Sequence, residues 1–243
     1  MTHFILASAS LGRKRLLDYL IIPFEIVPSK LDEDKIIGKN PIETIKLRAK
    51  LKGEDVLKKV QSSQPKADRS MAKTNQKIIN LATRRYTLDA RRYIILSADS
   101  DAIFDNKLYS KPKNYRQAYN TLQALSGRTH EFTTAVYIIK FEKASRSRPG
   151  LEHAALNNSI PSDRPDVLLD DTVRSFVTFR ILTDEDIKLY LKLTEYTRFA
   201  GAYALSSAQN FITNINGSIS NVIGLPLESV IPVLQKEGVI PRR

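Results

Sequence analysis

The chain has 243 residues, of which 42% are hydrophobic and 8% aromatic, so a sizeable core is available and a fully disordered protein is excluded. It has no cysteine and only three histidines, which excludes a disulfide scaffold, a thiolate metal site and a cysteine nucleophile and disfavours a poly-histidine metal site. The formal net charge of +12 favours a polyanionic partner such as a nucleotide, a nucleic acid or an acidic membrane surface.

The positive charge is concentrated in one stretch, residues 61–92, which holds eight Lys or Arg against two Asp. That stretch accounts for half of the net charge, so the total is a weak indication of nucleic-acid binding. Its polar composition and lack of a hydrophobic period predict a mobile insertion. A solvated basic loop is the simpler interpretation. Nucleic-acid binding through 61–92 stays an alternative, with only Tyr86 and Tyr93 available for base stacking.

The apolar segments are all short. No run approaches the ~20 apolar residues that a membrane span needs. The first residues are apolar only briefly and lack a basic leader, which argues against a secretory signal. We therefore expect a soluble cytoplasmic protein with no membrane partner.

The predicted elements alternate between strands and helices. A strand over 4–7, a turn of small residues and a helix over 13–20 start an α/β unit. The later elements are a strand at 24–27, an acidic loop at 32–34, a helix from 41 to about 59, a strand at 93–98, a helix at 114–125, strands at 132–141 and 173–182, a helix at 184–193 capped by Thr183, a short strand at 211–212 and a helix at 227–236. A second polar stretch at 144–166 is predicted to be a mobile loop. The pattern favours one α/β domain, or a domain with two lobes around a cleft.

The first strand-to-helix turn, Ser8 to Lys14, is a candidate phosphate site. Small residues expose backbone N–H groups, the helix N-terminus adds partial positive charge, and Arg13 and Lys14 add full charges. The alternative is a capped helix with solvent-facing basic residues. The glycine spacing of a Walker A loop is absent.

Three further candidates carry charge. Asp99 follows the predicted strand at 93–98, where it could hold Mg²⁺ or Mn²⁺ or take a proton from water, or merely close a turn. The acidic cluster at 32–34 could hold a hard cation or be solvated. Lys111 could neutralise phosphate charge or be an ordinary surface lysine.

Together and in this order, the segments resemble the Maf family of nucleotide pyrophosphatases. The matching segments are Leu6-Ala7-Ser8-Ala9-Ser10, Arg13-Lys14, Leu16-Leu17, Pro23-Phe24-Glu25, Asp32-Glu33, Ala49-Lys50-Leu51-Lys52, Ala98-Asp99-Ser100, Lys111-Pro112, Leu125-Ser126-Gly127-Arg128-Thr129-His130, Ala200-Gly201-Ala202-Tyr203 and Asn221-Val222-Ile223-Gly224-Leu225-Pro226-Leu227. The resemblance runs from residue 5 to about 235, around the two polar stretches, and implies a single Maf-like domain over 1–243.

The resemblance implies a fold and a reaction. The fold is a two-lobed α/β domain with a central mixed sheet and an inter-lobe cleft, similar to inosine-triphosphate pyrophosphatases. In the reaction, water attacks the α-phosphorus of a nucleoside triphosphate, giving the monophosphate and pyrophosphate, with divalent Mg²⁺ or Mn²⁺ required. A homodimer is also implied.

The resemblance also implies roles for individual residues. Asp99 matches the general base and a metal ligand, and Glu33 matches a second metal ligand. The positions that match the phosphate site are Ser8, Ser10, Arg13, Lys14, Lys52 and Lys111. Asp101 stands where the family usually has an apolar residue. We interpret it as an exposed turn residue rather than a further metal ligand.

Three positions depart from the family's specificity patterns. The dTTP/UTP-cleaving branch usually has arginine at the position of Gly12, threonine at Ser100 and glutamine at Ser206. The branch that cleaves 7-methyl-GTP matches no better. In the family these positions contact the base. We therefore expect a pyrimidine or a modified nucleotide as substrate, and the sequence does not distinguish the two. They also motivate an alternative, a catalytically silent nucleotide-binding regulatory protein, against which the retention of Glu33, Asp99 and Lys111 argues.

Overall fold

The computed structural model describes residues 2–62, 92–142 and 165–241. The strands are β1 (Thr2–Leu6), β2 (Glu25–Ile26), β3 (Arg92–Phe104), β4 (Lys107–Tyr109), β5 (Thr129–Glu142), β6 (Asp166–Phe179) and β7 (Ile212–Asn216). The helices are α1 (Leu11–Asp18), α2 (Pro41–Ser62), α3 (Tyr115–Leu125), α4 (Asp184–Leu193), α5 (Ile219–Ile223) and α6 (Leu227–Lys236). Short 3₁₀ turns lie at Glu33–Lys35, Tyr196–Arg198 and Ala200–Ala202.

The described strands form one mixed sheet in the order β2-β1-β3-β5-β6-β7, with β4 paired to β3 as a hairpin. Strand β1 runs parallel to β2 and β3, whereas the pairs β3–β5, β5–β6 and β6–β7 are antiparallel. The predicted α/β class with a central mixed sheet is confirmed. That the whole of 1–243 forms a single domain stays a prediction.

The two faces of β3 carry different side chains because successive residues of a strand point to opposite sides. Tyr93 and Ile95 face α2 and pack with its buried residues Ile45 and Val56. Leu96 and its neighbours on the other face pack against α1 and α6. A third apolar cluster lies between α3, α4 and the end of β6. The helices on both faces shield β3, which leaves it as the buried central element of the sheet.

The predicted end of the central strand is wrong. Hydrophobicity places it at Ala98, but β3 continues to Phe104, with Asp99 opposite Ala135 of β5. Asp99 therefore lies inside a strand rather than beyond its end. Ser97, Asp99 and Asp101 interrupt the apolar pattern, yet all three are buried because polar groups of neighbouring elements bond them.

Several helix ends were predicted from local signals. Helix α4 begins after Thr183, whose hydroxyl accepts from the N–H of Asp186 while the Asp186 carboxylate accepts from the N–H of Thr183. Helix α6 has the predicted bounds. The short strand predicted at 211–212 is β7, which begins at Ile212. The insertions predicted at 61–92 and 144–166 lie outside the described residues except at their ends.

The residues that the structure describes contain no helix that is both long and apolar enough to cross a membrane.

Candidate active site

Two serines build the turn between β1 and α1. Ser8 Oγ accepts a hydrogen bond from the N–H of Ser10 at 3.2 Å. Ser10 is the N-cap residue of α1, and its Oγ accepts from the N–H of Arg13 at 3.5 Å. The predicted strand, small-residue turn and helix are confirmed. The turn places Arg13 in the first turn of α1 with its side chain directed inward.

Arg13 is buried, and its guanidinium joins three parts of the chain. Nε donates to the carbonyl of Gly224 at 2.7 Å, Nη1 to Ser8 Oγ at 3.0 Å and Nη2 to Ser100 Oγ at 2.9 Å. Burial lowers the pKa of Arg13, against the opposing effect of nearby carboxylates, of which Asp99 is the strongest. An arginine side chain stays charged in proteins, so this is a fixed cation in a set orientation.

Gly224 can present its carbonyl to Arg13 because of its backbone conformation. It ends α5 in the left-handed region with a φ of 114°, a conformation that L side chains rarely adopt. Its carbonyl also accepts from Ser100 Oγ at 3.4 Å. The glycine therefore allows the α5 end to close over the Arg13 guanidinium.

Lys52 joins two carboxylates. Its Nζ lies 2.6 Å from Asp99 Oδ1 and 2.9 Å from Glu33 Oε2. Burial acts to raise the pKa of Glu33, but the positive charges of Lys52, Lys111 and Arg13 outweigh it and hold that pKa below its ordinary value. The other Asp99 oxygen, Oδ2, is buried and has no hydrogen-bond partner among the described residues. One oxygen of Asp99 is therefore bonded to Lys52, and the other has no polar partner among the described residues.

A second ion pair runs beside the first. Arg48 lies one helical turn before Lys52 on α2, and its Nη1 is 3.2 Å from Asp101 Oδ2. Asp101 is 3% exposed, so its interpretation as an exposed turn residue is wrong. Burial and the Asp99 charge raise the pKa of Asp101 to about 7. The strand continues past Asp99, and alternate strand residues share one face, so Asp101 points towards α2 as Asp99 does.

These side chains line one cleft of about 90 Å³. The residues that line it are Arg13, Glu33, Asp34, Arg48, Lys52, Asp99, Ser100, Asp101, Ser110 and Lys111. Pockets that enclose a drug-sized ligand measure roughly 300–1,000 Å³, so this cleft suits a phosphate group rather than an enclosed nucleotide. Lys111 enters from the loop after β4, and burial lowers its pKa. The structure thus brings together Arg13, Glu33, Lys52, Asp99 and Lys111, which are distant in sequence.

The cleft is balanced in charge. Its four cations, Arg13, Arg48, Lys52 and Lys111, face four carboxylates, Glu33, Asp34, Asp99 and Asp101. A polyphosphate entering the cleft would add several negative charges to this set. The described residues hold no group of three or more His, Cys, Asp or Glu side chains that could bind a metal ion. Glu33 and Asp99 are oxygen donors of the type that commonly holds Mg²⁺ together with substrate phosphates, and Lys52 bridges them in this structure.

Some predicted site residues lie outside the lining. Lys14 forms an exposed ion pair with Asp18 at 2.6 Å. Ser206 lies in an exposed turn. At Gly12, a Cβ atom would meet the carbonyl oxygen of Ile223 at 2.8 Å, so an arginine there would need the α5 end to move. Ser100 does line the cleft, and its Oγ accepts the hydrogen bond from Arg13 Nη2.

Asp34 belongs to the acidic cluster that the sequence singled out, whereas sequence reasoning missed three lining or bonding residues, namely Arg48, Ser110 and Gly224. A signal existed for Arg48, because it precedes Lys52 by four residues within the predicted helix and so shares its face. Ser110 acts through one hydrogen bond to Asp101 on β3, and the Gly224 carbonyl accepts from Arg13 and Ser100, which are far away in sequence. No local pattern indicates these bonds.

The fold and the cleft define an α/β protein with a charged cleft on the buried central strand of a mixed sheet. The family model described as "Maf-like protein" matches residues 3–237, and the chain belongs to this family. The family predicted from the motifs is confirmed.

Curated relatives cover nearly the whole chain. A protein named dTTP/UTP pyrophosphatase from Ruminiclostridium cellulolyticum is 32% identical over 97% of this chain and 96% of its own length. Proteins of the same name from Clostridium botulinum (strain Eklund 17B / Type B) and Latilactobacillus sakei subsp. sakei are each 29% identical over 96% of this chain, and over 97% and 99% of their own lengths.

Proposed function

We propose that this protein hydrolyses a nucleoside triphosphate to the nucleoside monophosphate and pyrophosphate. The observation that carries the proposal is the carboxylate of Asp99, with Oδ1 held by Lys52 and Oδ2 buried without a partner in a cleft that also holds Arg13 and Lys111. The names of the relatives, dTTP/UTP pyrophosphatase, support the same activity. Both lines support a nucleotide pyrophosphatase.

The cations of the cleft bind and orient the phosphates. Arg13 is held rigidly by three hydrogen bonds and can present its remaining N–H groups to a phosphate oxygen without reorganising. Lys111 adds a point charge from the opposite loop. These charges stabilise the leaving pyrophosphate most strongly, because negative charge accumulates on it as the bond breaks.

Asp99 is the proposed general base. A water oxygen forms a bond to the α-phosphorus while the bond from that phosphorus to the bridging oxygen of the β-phosphate breaks. The water proton passes to Asp99 Oδ2, and the pyrophosphate leaves with the bridging oxygen. Lys52 keeps the carboxylate oriented through Oδ1.

We propose Mg²⁺ or Mn²⁺ as the cofactor, held by Glu33 and Asp99. The balanced charge of the cleft supports this, since a triphosphate brings several more negative charges. When bound, such an ion would offset phosphate charge and lower the pKa of a coordinated water.

The predictions about the nucleotide base, the two-lobed fold and the oligomeric state also belong to this proposal. The relatives' names support a pyrimidine substrate, dTTP or UTP, over a modified nucleotide. Of the three specificity positions, Ser100 contacts Arg13 in the cleft. Gly12 and Ser206 are not among the residues that line it. The two-lobed cleft similar to inosine-triphosphate pyrophosphatases and the homodimer are further proposals that the family resemblance supports.

A pyrophosphate-release screen tests the function. Purified protein with Mg²⁺ or Mn²⁺ is offered dTTP, UTP, the other canonical triphosphates and modified ones. We expect release from dTTP or UTP, reduced at least about a hundredfold in Asp99→Asn, because the base is lost while the shape is kept. Asp105→Asn, in the exposed turn that follows β3, is the matched control and should keep full activity.

Two outcomes would contradict the proposal. Turnover that persists in Asp99→Asn would reject Asp99 as the base. Folded protein that binds nucleotides but releases no pyrophosphate would favour the silent regulatory alternative.

A further inference from the structure

The Arg48–Asp101 ion pair lines the same cleft as the proposed phosphate-binding residues Arg13 and Lys111. Both side chains are buried, with Asp101 3% exposed and Arg48 8% exposed. Burying an ion pair costs desolvation free energy, and such pairs contribute little net stability. The pair therefore calls for another explanation, and its other hydrogen bonds provide one.

Each partner of the pair reaches a different loop of the cleft. Arg48 Nε donates to the carbonyl of Ile36 at 3.2 Å, at the end of the 3₁₀ turn that carries Glu33. Asp101 Oδ2 accepts from Ser110 Oγ at 2.8 Å, and Ser110 immediately precedes Lys111. The pair thus connects α2 and β3 to the two loops that flank Asp99.

We propose that Asp101 is a positioning residue, which with Arg48 fastens the Glu33 and Lys111 loops at their working distance from Asp99. This inference rests on the proposed function and deepens it. Lysine is a flexible side chain, and a loop that must be ordered on binding weakens the affinity for substrate. The hydrogen bond from Ser110 to the buried Asp101 carboxylate orders the Lys111 loop before the triphosphate binds, so the affinity for substrate is not weakened by ordering the loop on binding.

Ser110→Ala is the most selective variant, because it removes only the hydroxyl that reaches Asp101. Ser110→Thr keeps the hydroxyl and serves as the conservative rescue. Ser229→Ala is the matched control, since it removes another Ser–Asp hydrogen bond, from Ser229 Oγ to Asp171 Oδ2 at 2.7 Å, away from the cleft. Asp101→Asn keeps an acceptor oxygen and Asp101→Ala removes it. If Asp101→Ala fails to fold, Ser110→Ala still tests the proposal.

Steady-state kinetics separate positioning from plain destabilisation. In Ser110→Ala we expect kcat/KM for the triphosphate to fall about tenfold, mainly through a higher KM, because Lys111 is held less firmly. Asp101→Ala should show the same pattern, and Asp101→Asn and Ser110→Thr should keep most of the wild-type KM. A purely structural role would lower the active fraction, and hence kcat, at unchanged KM. Wild-type KM in Ser110→Ala would overturn the proposal.

Hydrogen exchange followed by mass spectrometry gives a second readout without any nucleotide. We expect faster exchange of the amides in 110–113 in Ser110→Ala and Asp101→Ala than in wild type, with Ser229→Ala unchanged there. Unchanged exchange in both variants would overturn the fastening. If wild-type protein releases no pyrophosphate from any substrate, the proposed function fails by itself, while faster exchange in the variants would still support the fastening by Asp101.

Discussion

Asp99 has two carboxylate oxygens in unlike surroundings. Oδ1 is 2.6 Å from Lys52 Nζ, and Oδ2 is buried with no polar partner among the described residues. A buried acceptor without a partner costs free energy, so natural proteins rarely keep one without a use. A water proton or a cation at Oδ2 would satisfy it. This geometry supports the proposal that Asp99 is the general base.

His130 is a buried histidine outside the cleft. Its Nε2 lies 2.9 Å from the hydroxyl of Tyr203, and the ring of Phe179 packs edge-on at 5.0 Å. Burial lowers the pKa of His130 to about 4. Since an unfolded imidazole binds its proton near pH 6.5, the unfolded state holds more protons between the two values. Stability is therefore complete above pH 6.5 and falls as the pH drops towards 4.

We expect the titration of His130 to lower the free energy of unfolding by about 3 kcal/mol as the pH falls from 6.5 to 4. Urea denaturation across that pH range measures the change. His130→Gln should flatten this part of the pH dependence because the titrating group is gone. An unaltered slope in His130→Gln would show that other groups cause the acid loss.

Helix α2 is the element that carries the cations Arg48 and Lys52 to the sheet. Its close approach depends on Gly53, where a Cβ atom would lie 2.7 Å from Ser97 Oγ and 3.2 Å from the Tyr137 ring. Ser97 Oγ in turn donates to the carbonyl of Ala49 at 2.8 Å, which links the strand to the helix. The missing side chain thus sets how near α2 lies to β3.

Gly53→Ala should lower the free energy of unfolding, although alanine in a helix interior ordinarily gains about 1 kcal/mol over glycine. Crowding against Ser97 and Tyr137 costs about 1–3 kcal/mol, so we expect a net loss, measured by urea denaturation. The double variant Gly53→Ala with Ser97→Ala should lose less than the two single changes together, because the second change removes the clashing oxygen. A higher free energy of unfolding in Gly53→Ala than in wild type would show that α2 and β3 leave room for a side chain at this position.

At the scale of the whole molecule, the net charge and the cleft are separate features. Half of the +12 lies in residues 61–92, most of which fall outside the described part of the chain, whereas the cleft holds equal numbers of cations and carboxylates. The charge of the chain therefore does not by itself explain how a triphosphate would bind. The metal that the family resemblance implies would supply additional positive charge at the cleft.

We expect a non-hydrolysable triphosphate analogue to stabilise the protein much more with Mg²⁺ than with EDTA. At a hundredfold excess over its Kd, the analogue with Mg²⁺ should add about 2.7 kcal/mol to the unfolding free energy, seen as a higher Tm. Glu33→Gln should weaken the Mg²⁺-dependent part, since it removes one proposed ligand. The same rise in Tm with EDTA would contradict the proposed metal.

Local signals in the sequence were sufficient for much of the fold. The cap at Thr183, the bounds of α4 and α6 and the turn after β1 depend on residues within four positions of one another, so sequence alone predicts them. The order of motifs was enough to identify the family. It also named Arg13, Glu33, Lys52, Asp99 and Lys111, which the structure places in one cleft.

Tertiary structure alone decided the rest of the site. Asp101 is buried because it meets Arg48, 53 residues away, and β3 can run through Asp99 because Lys52, 47 residues away, neutralises it. Hydrophobic patterning ends a strand where polar residues begin, since it cannot see that a distant helix supplies their partners. The sequence thus determined the local elements and the identity of the cleft residues. Packing of α2 against β3 decided which carboxylates are buried, which oxygen of Asp99 stays available and which loops are fastened, because each of these depends on contacts between residues far apart in the chain.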